Sequence, residues 1–394
     1  MSLNKRIQQI QPSHTLAVAA NAKKLQRAGI PVVDFSAGEP DFDTPEHIKA
    51  EAINAIKAGF SKYTDVAGIP ELRQAIVTKM SRDYHLDFRP EETIATNGGK
   101  QALFNALSVL IDPQDEVLIQ TPYWTSYPEM VSLVGGIPRF MQTTLKRGFK
   151  ITPEQLKRSI TERTKVLIFN SPSNPTGVSY TADELKELST VLIKNKNIYI
   201  VSDDIYEQLV YDSKKFTSFL HVAPELRERM IIINGLSKAY AMTGWRIGYS
   251  VAPAFITLAM AKFQGQTTSN INSIAQKGAV EALTSDQACV KEFRERFQQR
   301  RDLMLSLLKN IPNIEYIKPD GAFYLFPDFS KYLTTNHPTS VALADYLIEK
   351  ARVAVVPGSA FGAESFLRLS YATSQENIKT GMEKLALALA NLGN

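Results

Sequence analysis

Five strand-like runs, ETIAT, DEVLIQ, KVLIFN, IYIVSD and MIIIN, are each followed within a few residues by side chains able to do chemistry. Gly98-Gly99-Lys100 follows the first, Tyr123-Trp124 the second, Asn174 in NSPSNPTG the third, Asp203 and Tyr206 the fourth, and Ser237-Lys238 the fifth. In an open parallel sheet, ligands gather beyond the carboxyl ends of the strands, so these groups are expected to converge on one crevice. They would supply an amine, a carboxylate, a flat aromatic face, an amide and a phenol. A glycine pair at the start of a helix adds bare backbone N–H groups for an anion. The set suits a lysine that acts as nucleophile and proton carrier toward a carbonyl compound anchored by an anionic group.

The elements that must hold these groups are legible as an alternation of strand-like runs with helix-period segments, the pattern of an α/β protein with a mostly parallel sheet. Leu103, Phe104, Leu107, Leu110 and Ile111 fall on one helical face opened by Asn97-Gly98-Gly99. A second helix is expected over roughly 183–195. After about residue 285 the texture changes to a charged helical stretch, KEFRERFQQRRDLMLSLLKN, then short strands (IEYIKP, AFYLFP, VAVVPG, FLRLSYA) and a terminal helix. This reads as a smaller α+β domain.

Composition narrows the function. The 394 residues suit two to three domains of about 100 to 200 residues each. An apolar fraction of 44% and a charged fraction of 22% mark a folded globular chain. Against 40 acidic residues stand 45 Lys and Arg, a balance of only +5, with no long basic run, so neither nucleic acid nor a membrane surface is the expected partner. The single cysteine, Cys289, forms no intrachain disulfide and fits a reducing compartment, and no metal site is expected. The N-terminus lacks the apolar segment of a secretory signal, and a cytoplasmic protein is expected. G-x-G-x-x-G, Walker A and H-E-x-x-H patterns are absent, which disfavours dinucleotide, NTPase and zincin functions.

Pyridoxal 5'-phosphate needs the set described above: an amine to hold its aldehyde, a carboxylate on its pyridine nitrogen and an anion site for its phosphate. At this point the chain resembles the fold-type I, class I pyridoxal-phosphate-dependent aminotransferases. The motifs SAGEPDFDTPEH, KYTDVAGIPELR, NGGKQALFNAL, TPYWTSYPEM, NSPSNPTG, VSDDIYE, GLSKAYAMTGWRIGY, PDGAFYLF and FLRLSYATS carry the resemblance from about residue 36 to 375. It is closest to the bacterial aspartate aminotransferase and aspartate/prephenate aminotransferase subgroup. The resemblance implies a large domain with a seven-stranded-type, mostly parallel sheet flanked by helices, plus a smaller α+β domain. The expected division is residues 1–45 as an N-terminal arm and part of the small domain, 46–285 as the large cofactor-binding domain and 286–394 as the small domain.

The resemblance also implies roles. Lys238 would hold the cofactor and move a proton between substrate and cofactor. Asp203 alone could read as a helix N-cap after IYIVS, and Asp204 beside it is a rival for the pyridine nitrogen; the resemblance selects Asp203, three residues before Tyr206. Tyr206 and Asn174 would bond the phenolic oxygen of the cofactor, although NPTG alone reads as a turn. Trp124 would stack on the ring. Gly98, Gly99, Lys100 and Arg246 would serve the phosphate region, and Ser237 too, although many relatives carry their serine where this chain has Gly235. Arg368 and Gly38 would meet the substrate α-carboxylate, with Lys100, Trp124 and Asn174 also in the substrate pocket. Lys100 is placed to meet a second carboxylate. Tyr63 would reach across a homodimer interface to the phosphate of the neighbouring subunit, giving shared active sites. The implied activity transfers the amino group of aspartate or another acidic amino acid to 2-oxoglutarate by ping-pong kinetics. Prephenate, aromatic or broad-specificity transamination and β-lyase chemistry are the rivals among enzymes, and a ligand-sensing regulator on the same fold is a remote one.

Overall fold

A computed structural model describes residues 4, 7–8, 10–12 and 14–392. Strand β1 (Val33–Asp34) precedes the main sheet strands β2 (Thr93–Asn97), β3 (Glu116–Gln120), β4 (Ile137–Met141), β5 (Thr164–Asn170), β6 (Tyr199–Asp203), β7 (Met230–Gly235) and β8 (Ile247–Val251). These seven form one sheet in the order β2-β8-β7-β6-β5-β3-β4. Strand β8 runs antiparallel to both β7 and β2 and the others run one way, so six carboxyl ends share one edge. The five strand-like runs of the sequence are β2, β3, β5, β6 and β7.

Both faces of the sheet are covered, which is why its strands read as continuous apolar runs. Successive residues alternate between two cores: Val117, Ile119, Val166, Ile168, Val201, Ile231 and Ile233 face the helix Gly99–Leu110, while Leu118, Leu167, Phe169, Ile200 and Ile232 face the opposite side. The second predicted helix is found over Ala182–Lys194, where Thr181 and Glu184 form a capping box.

The smaller unit holds β9 (Tyr324–Leu325), β10 (Val353–Ala354), β11 (Val356–Pro357) and β12 (Leu367–Ser370). Strands β11, β12 and β9 form an antiparallel sheet, and β1 pairs in parallel with β10. The charged stretch after residue 285 is the helix Ala288–Leu308, whose buried face runs Val290, Phe293, Phe297, Arg301, Met304 and Leu308. Arg301 is buried because Asp212 takes two of its N–H donors and the Pro319 carbonyl a third. The expected strand IEYIKP is reduced to a single bridge between Glu315 and Asp328. Tyr206, Leu209 and Tyr211, just past β6, pack in the core of this smaller unit together with Phe35 and Phe323. The carboxyl end of the central sheet is therefore fastened to the small sheet. Among the described residues, no helix is long and apolar enough to cross a membrane and no cluster of His, Cys, Asp or Glu could hold a metal ion.

Beneath that junction lies a buried polar network. Lys79, at the end of the helix Pro70–Lys79, is buried against Glu207, with Asp83 at 3.4 Å. Burial opposes its charge, but the neighbouring carboxylates outweigh burial and hold the ammonium charged. Asn234 donates to both Glu207 and the Tyr84 hydroxyl, which in turn donates to Asp204. Removing one partner of such a pair leaves a buried charge uncompensated. Glu207→Ala should therefore lower stability by roughly 3 to 5 kcal/mol in denaturant unfolding, and a loss below about 1 kcal/mol would show that Lys79 finds water or another partner.

Candidate active site

At the shared carboxyl edge a cavity of about 500 Å³ opens between the two units. Gly38, Gly99, Lys100, Trp124, Asn174, Asp203, Tyr206, Ser237, Lys238, Arg246 and Arg368 line it. Gly98 adjoins it through Arg246. Tyr63 stands apart, 90% exposed beside a groove formed with residues 268–273.

Lys238 follows β7 directly and donates from Nζ to the Gly38 carbonyl at 2.7 Å. Its amine is drawn down to about 8, first by burial and then by the cations Arg246 and Arg368, against an opposing pull from Glu39 and Asp203. A sizeable fraction is thus neutral, and nucleophilic, near pH 7 to 8.

Asp203 ends β6 and is buried, where Tyr127 donates to its Oδ2 at 2.6 Å and Asn170 to its carbonyl at 2.7 Å. Burial raises its carboxyl despite the tyrosine hydrogen bond and the nearby Lys238. Asp204 faces the opposite side of the sheet, bonded by Ser202 at 2.6 Å and Tyr84 at 3.1 Å, and burial pushes it up to about 8. Successive residues at a strand end point to opposite faces, so only one of the two can line the cavity.

At the start of the helix Gly99–Leu110, Gly98 has φ +77°, and a Cβ there would stand 2.4 Å from Arg246 Nη2. On the other side, a Cβ on Gly248 would reach within 2.2 Å of the Gly98–Gly99 peptide. Two bare glycines thus let a guanidinium and a strand close on a helix N-terminus whose first N–H groups have no acceptor within the helix. Arg246 is steadied by the carbonyls of Thr243 at 2.9 Å and Asn97 at 3.2 Å. Lys100 donates to Ser126 Oγ at 3.1 Å and lies 4.9 Å from the centre of the Trp124 ring; partial burial and Arg246 draw its pKa down.

Arg368 comes from β12 on the far side of the cavity. It is buried, donates to Asn174 Oδ1 at 3.1 Å and to the Ser36 carbonyl at 2.8 Å, and is flanked by the rings of Tyr324 and Phe361. Its Nε has no hydrogen-bond partner. This is not a strand arginine facing solvent.

Four contributors were not singled out from the sequence: Tyr127, Asn170, Ser36 and Tyr324. Tyr127 lies three residues beyond Trp124 within TPYWTSYPEM and meets its ring edge-on, and Tyr324 lies inside PDGAFYLF, so both were within reach of the motifs.

A parallel α/β sheet with a buried lysine at its carboxyl edge whose amine is drawn down to about 8, faced by an arginine from a second unit, defines a two-domain enzyme of amine and carbonyl chemistry. The family model for class I and II aminotransferases matches residues 30–385, and the chain belongs to that family. It is 45% identical to the aspartate/prephenate aminotransferase of Nitrosomonas europaea over 99% of this chain and 100% of the relative. It is 47% identical to the aspartate aminotransferase of Geobacillus stearothermophilus over 98% of each. The crystal structure of the Rhizobium meliloti aspartate aminotransferase superposes with a TM-score of 0.95 at 43% identity, covering 99% of both chains. That of the Thermus thermophilus enzyme with maleate gives 0.93 at 45% identity, covering 98% of this chain and 100% of the other.

The position of Lys238 makes a pH prediction. Its folded pKa is depressed, so the neutral amine should accumulate as pH rises through about 8. In protein stripped of small ligands, competitive acylation followed by peptide mass spectrometry should give Lys238 a midpoint near that value, and Arg368→Met should raise it. A midpoint near that of an exposed lysine, about 10.4, would contradict the environment described.

Proposed function

We propose that this aminotransferase carries the amino group of L-aspartate, or another acidic amino acid, to 2-oxoglutarate on bound pyridoxal 5'-phosphate, as a cytoplasmic homodimer with shared active sites. The observation that carries the reading is the Lys238 amine, poised near neutrality inside a cavity walled by Lys100, Arg246 and Arg368. The donor set fits the cofactor: a glycine cradle under Arg246 for a phosphate, a buried carboxylate for a ring nitrogen and two hydroxyl or amide donors for a phenolic oxygen. The unpartnered Nε of Arg368 fits a carboxylate from the substrate. The relatives named above for aspartate support the donor.

When bound, the cofactor supplies an electron sink for charge left on the substrate α-carbon. The protein does the rest. Arg246, Ser237 and the amides after Gly98 hold the phosphate, to which Tyr63 of a second copy adds its hydroxyl. Asp203 keeps the pyridine nitrogen protonated; its burial makes that charge partner strong in a poorly screened site. Tyr206 and Asn174 donate to the phenolic oxygen, and Trp124 covers the ring face. Arg368 clamps the α-carboxylate beside the Gly38 backbone, a task suited to its planar fork. Lys238 would hold the cofactor through its amine and, in the neutral form that its surroundings favour, would take the proton from the substrate α-carbon and return it. Closure of the small unit, residues 286–394 with part of the N-terminal 1–45, over the large unit, 46–285, would exclude water while that proton is in transit.

Lys100 is assigned to the second carboxylate of the donor. A mobile ammonium is a point charge that can swing aside, so prephenate or an aromatic donor is the second reading, favoured by relatives named for both aspartate and prephenate.

Lys238→Ala should abolish turnover while cofactor remains bound through its phosphate, as absorbance after gel filtration will show; sustained turnover would remove Lys238 from its role. A panel of amino donors and oxo acids, prephenate included, separates the readings. In that panel Lys100→Ala should lower kcat/KM for aspartate by roughly 10- to 150-fold, the loss of one charge-assisted contact, and phenylalanine far less. Equal losses for both donors would move Lys100 to the phosphate.

A further inference from the structure

Tyr324 takes no part in the roles assigned above, yet it is tied to three of the groups that have one. It sits on β9, paired with the strand that carries Arg368, and is buried at the cavity wall. Its hydroxyl lies 2.9 Å from that of Tyr206. Its ring stacks under the Arg368 guanidinium, 4.4 Å from centre to Cζ. A Cβ added to Gly38, whose carbonyl accepts from Lys238, would lie 3.6 Å from the Tyr324 hydroxyl.

The two phenols have two hydrogens and one mutual contact, and among the described residues neither has another hydrogen-bond partner. If Tyr206 donated to Tyr324, its only hydrogen would be spent and its oxygen alone would face the cavity. If Tyr324 donates, the Tyr206 hydrogen is left for a ligand. The surrounding charges decide between them. Arg368 lies over the Tyr324 ring, and a nearby positive charge makes a phenol the better donor. The charged groups of the cavity around the pair are Asp203 from β6, Lys238 after β7 with Glu39 beside it, and Arg368 from β12 with Asp34 beside it. Of the carboxylates, Asp203 acts on Tyr206 and makes it the poorer donor. Burial pushes both phenols up, Tyr206 well above its ordinary value; Arg368 pulls both back, but Tyr206 alone also carries the opposing push of Asp203.

We propose that Tyr324 is a positioning residue that donates its hydrogen to Tyr206 and thereby commits the Tyr206 hydrogen to the phenolic oxygen of the cofactor. The inference rests on the assignment of Tyr206 to that oxygen. On this proposal Tyr324 acts through Tyr206 rather than on the reacting carbon. A hydroxyl that also accepts a hydrogen bond is a stronger donor, because chained hydrogen bonds polarise one another. The Tyr206–Tyr324 pair therefore stabilises the anionic form of the cofactor oxygen more than Tyr206 could alone.

The test is the pH titration of cofactor absorbance in the holoenzyme, read without turnover. A weaker donor to the phenolic oxygen stabilises its anion less and raises the midpoint. Tyr324→Phe keeps the ring on Arg368 and should raise it by about half a pH unit, the effect of losing one neutral hydrogen bond. Tyr206→Phe should raise it further, and Tyr324→Phe added to Tyr206→Phe should change nothing more, since its effect passes through Tyr206. Replacing Tyr324 by 3-fluorotyrosine, a stronger donor of nearly the same shape, should move the midpoint down and so guards against a folding artefact. An unchanged midpoint in Tyr324→Phe beside a shifted one in Tyr206→Phe overturns the inference and spares the assignment of Tyr206, as does an equal shift in both backgrounds. No shift in Tyr206→Phe would overturn that assignment and the inference with it, and absence of cofactor absorbance in the wild-type protein would overturn the proposed function itself.

Discussion

A lysine amine kept near neutrality among cations is the constraint on which the rest of this molecule depends. Lys238 is drawn down to about 8 by burial and by Arg246 and Arg368, and the same two guanidiniums give the cavity a surplus of positive charge that an anionic ligand would relieve. The two effects are one arrangement seen from opposite sides. Cations that repel a proton from Lys238 would also attract anionic groups such as a phosphate or a carboxylate, and binding those anions would weaken the repulsion. Asp203, buried behind Tyr127, and the carboxylates Asp34 and Glu39 in the cavity wall are the counterweights that keep the cleft from being uniformly positive.

Holding these charges at fixed separation takes two units. The sheet delivers Asp203, Lys238 and the glycine turn from strand ends at one edge, positions defined by backbone pairing and hence stiff. Arg368 arrives from the other side on β12, anchored by Asn174 from the large unit and by the Ser36 carbonyl. The junction is apolar as well as polar, since Tyr206, Leu209 and Tyr211 enter the core built around Phe297 and Phe323. A carboxylate bound to Arg368 would therefore pull on Asn174 and Ser36, which hold its guanidinium. The buried Lys79, Glu207, Asn234 and Asp204 network under this edge braces the far face of the strands that end in the site.

Much of the fold was legible because buried parallel strands leave unbroken apolar runs, and those runs ended where the site residues stand. Strand β8 was not read, because IGYSV follows GLSKAYAMTGWR within one motif and its antiparallel insertion between β7 and β2 leaves no mark in local pattern. Strand β4 was missed for another reason: it is an edge strand with Pro138, Arg139 and Phe140 partly or fully exposed, so its alternation is poor. In IEYIKP a strand-like pattern yields one bridge only, since pairing partners, not propensity, decide a strand. At the site, the roles of Tyr324 and Ser36 depend on contacts with residues more than 100 positions away, which no spacing rule encodes. The distinction between Asp203 and Asp204 is one of strand face, and follows from the pleat once the strand end is known.

The central claim is that Lys238 is the amine that meets an aldehyde at the carboxyl edge of the sheet. The most direct measurement is borohydride reduction of the protein in the presence of pyridoxal 5'-phosphate at limiting ratio, followed by digestion and peptide mass spectrometry. The account predicts one stably modified lysine, in the peptide containing Leu236-Ser237-Lys238, at near-stoichiometric yield. Modification spread over surface lysines, or concentrated on Lys100 with Lys238 unlabelled, would contradict it.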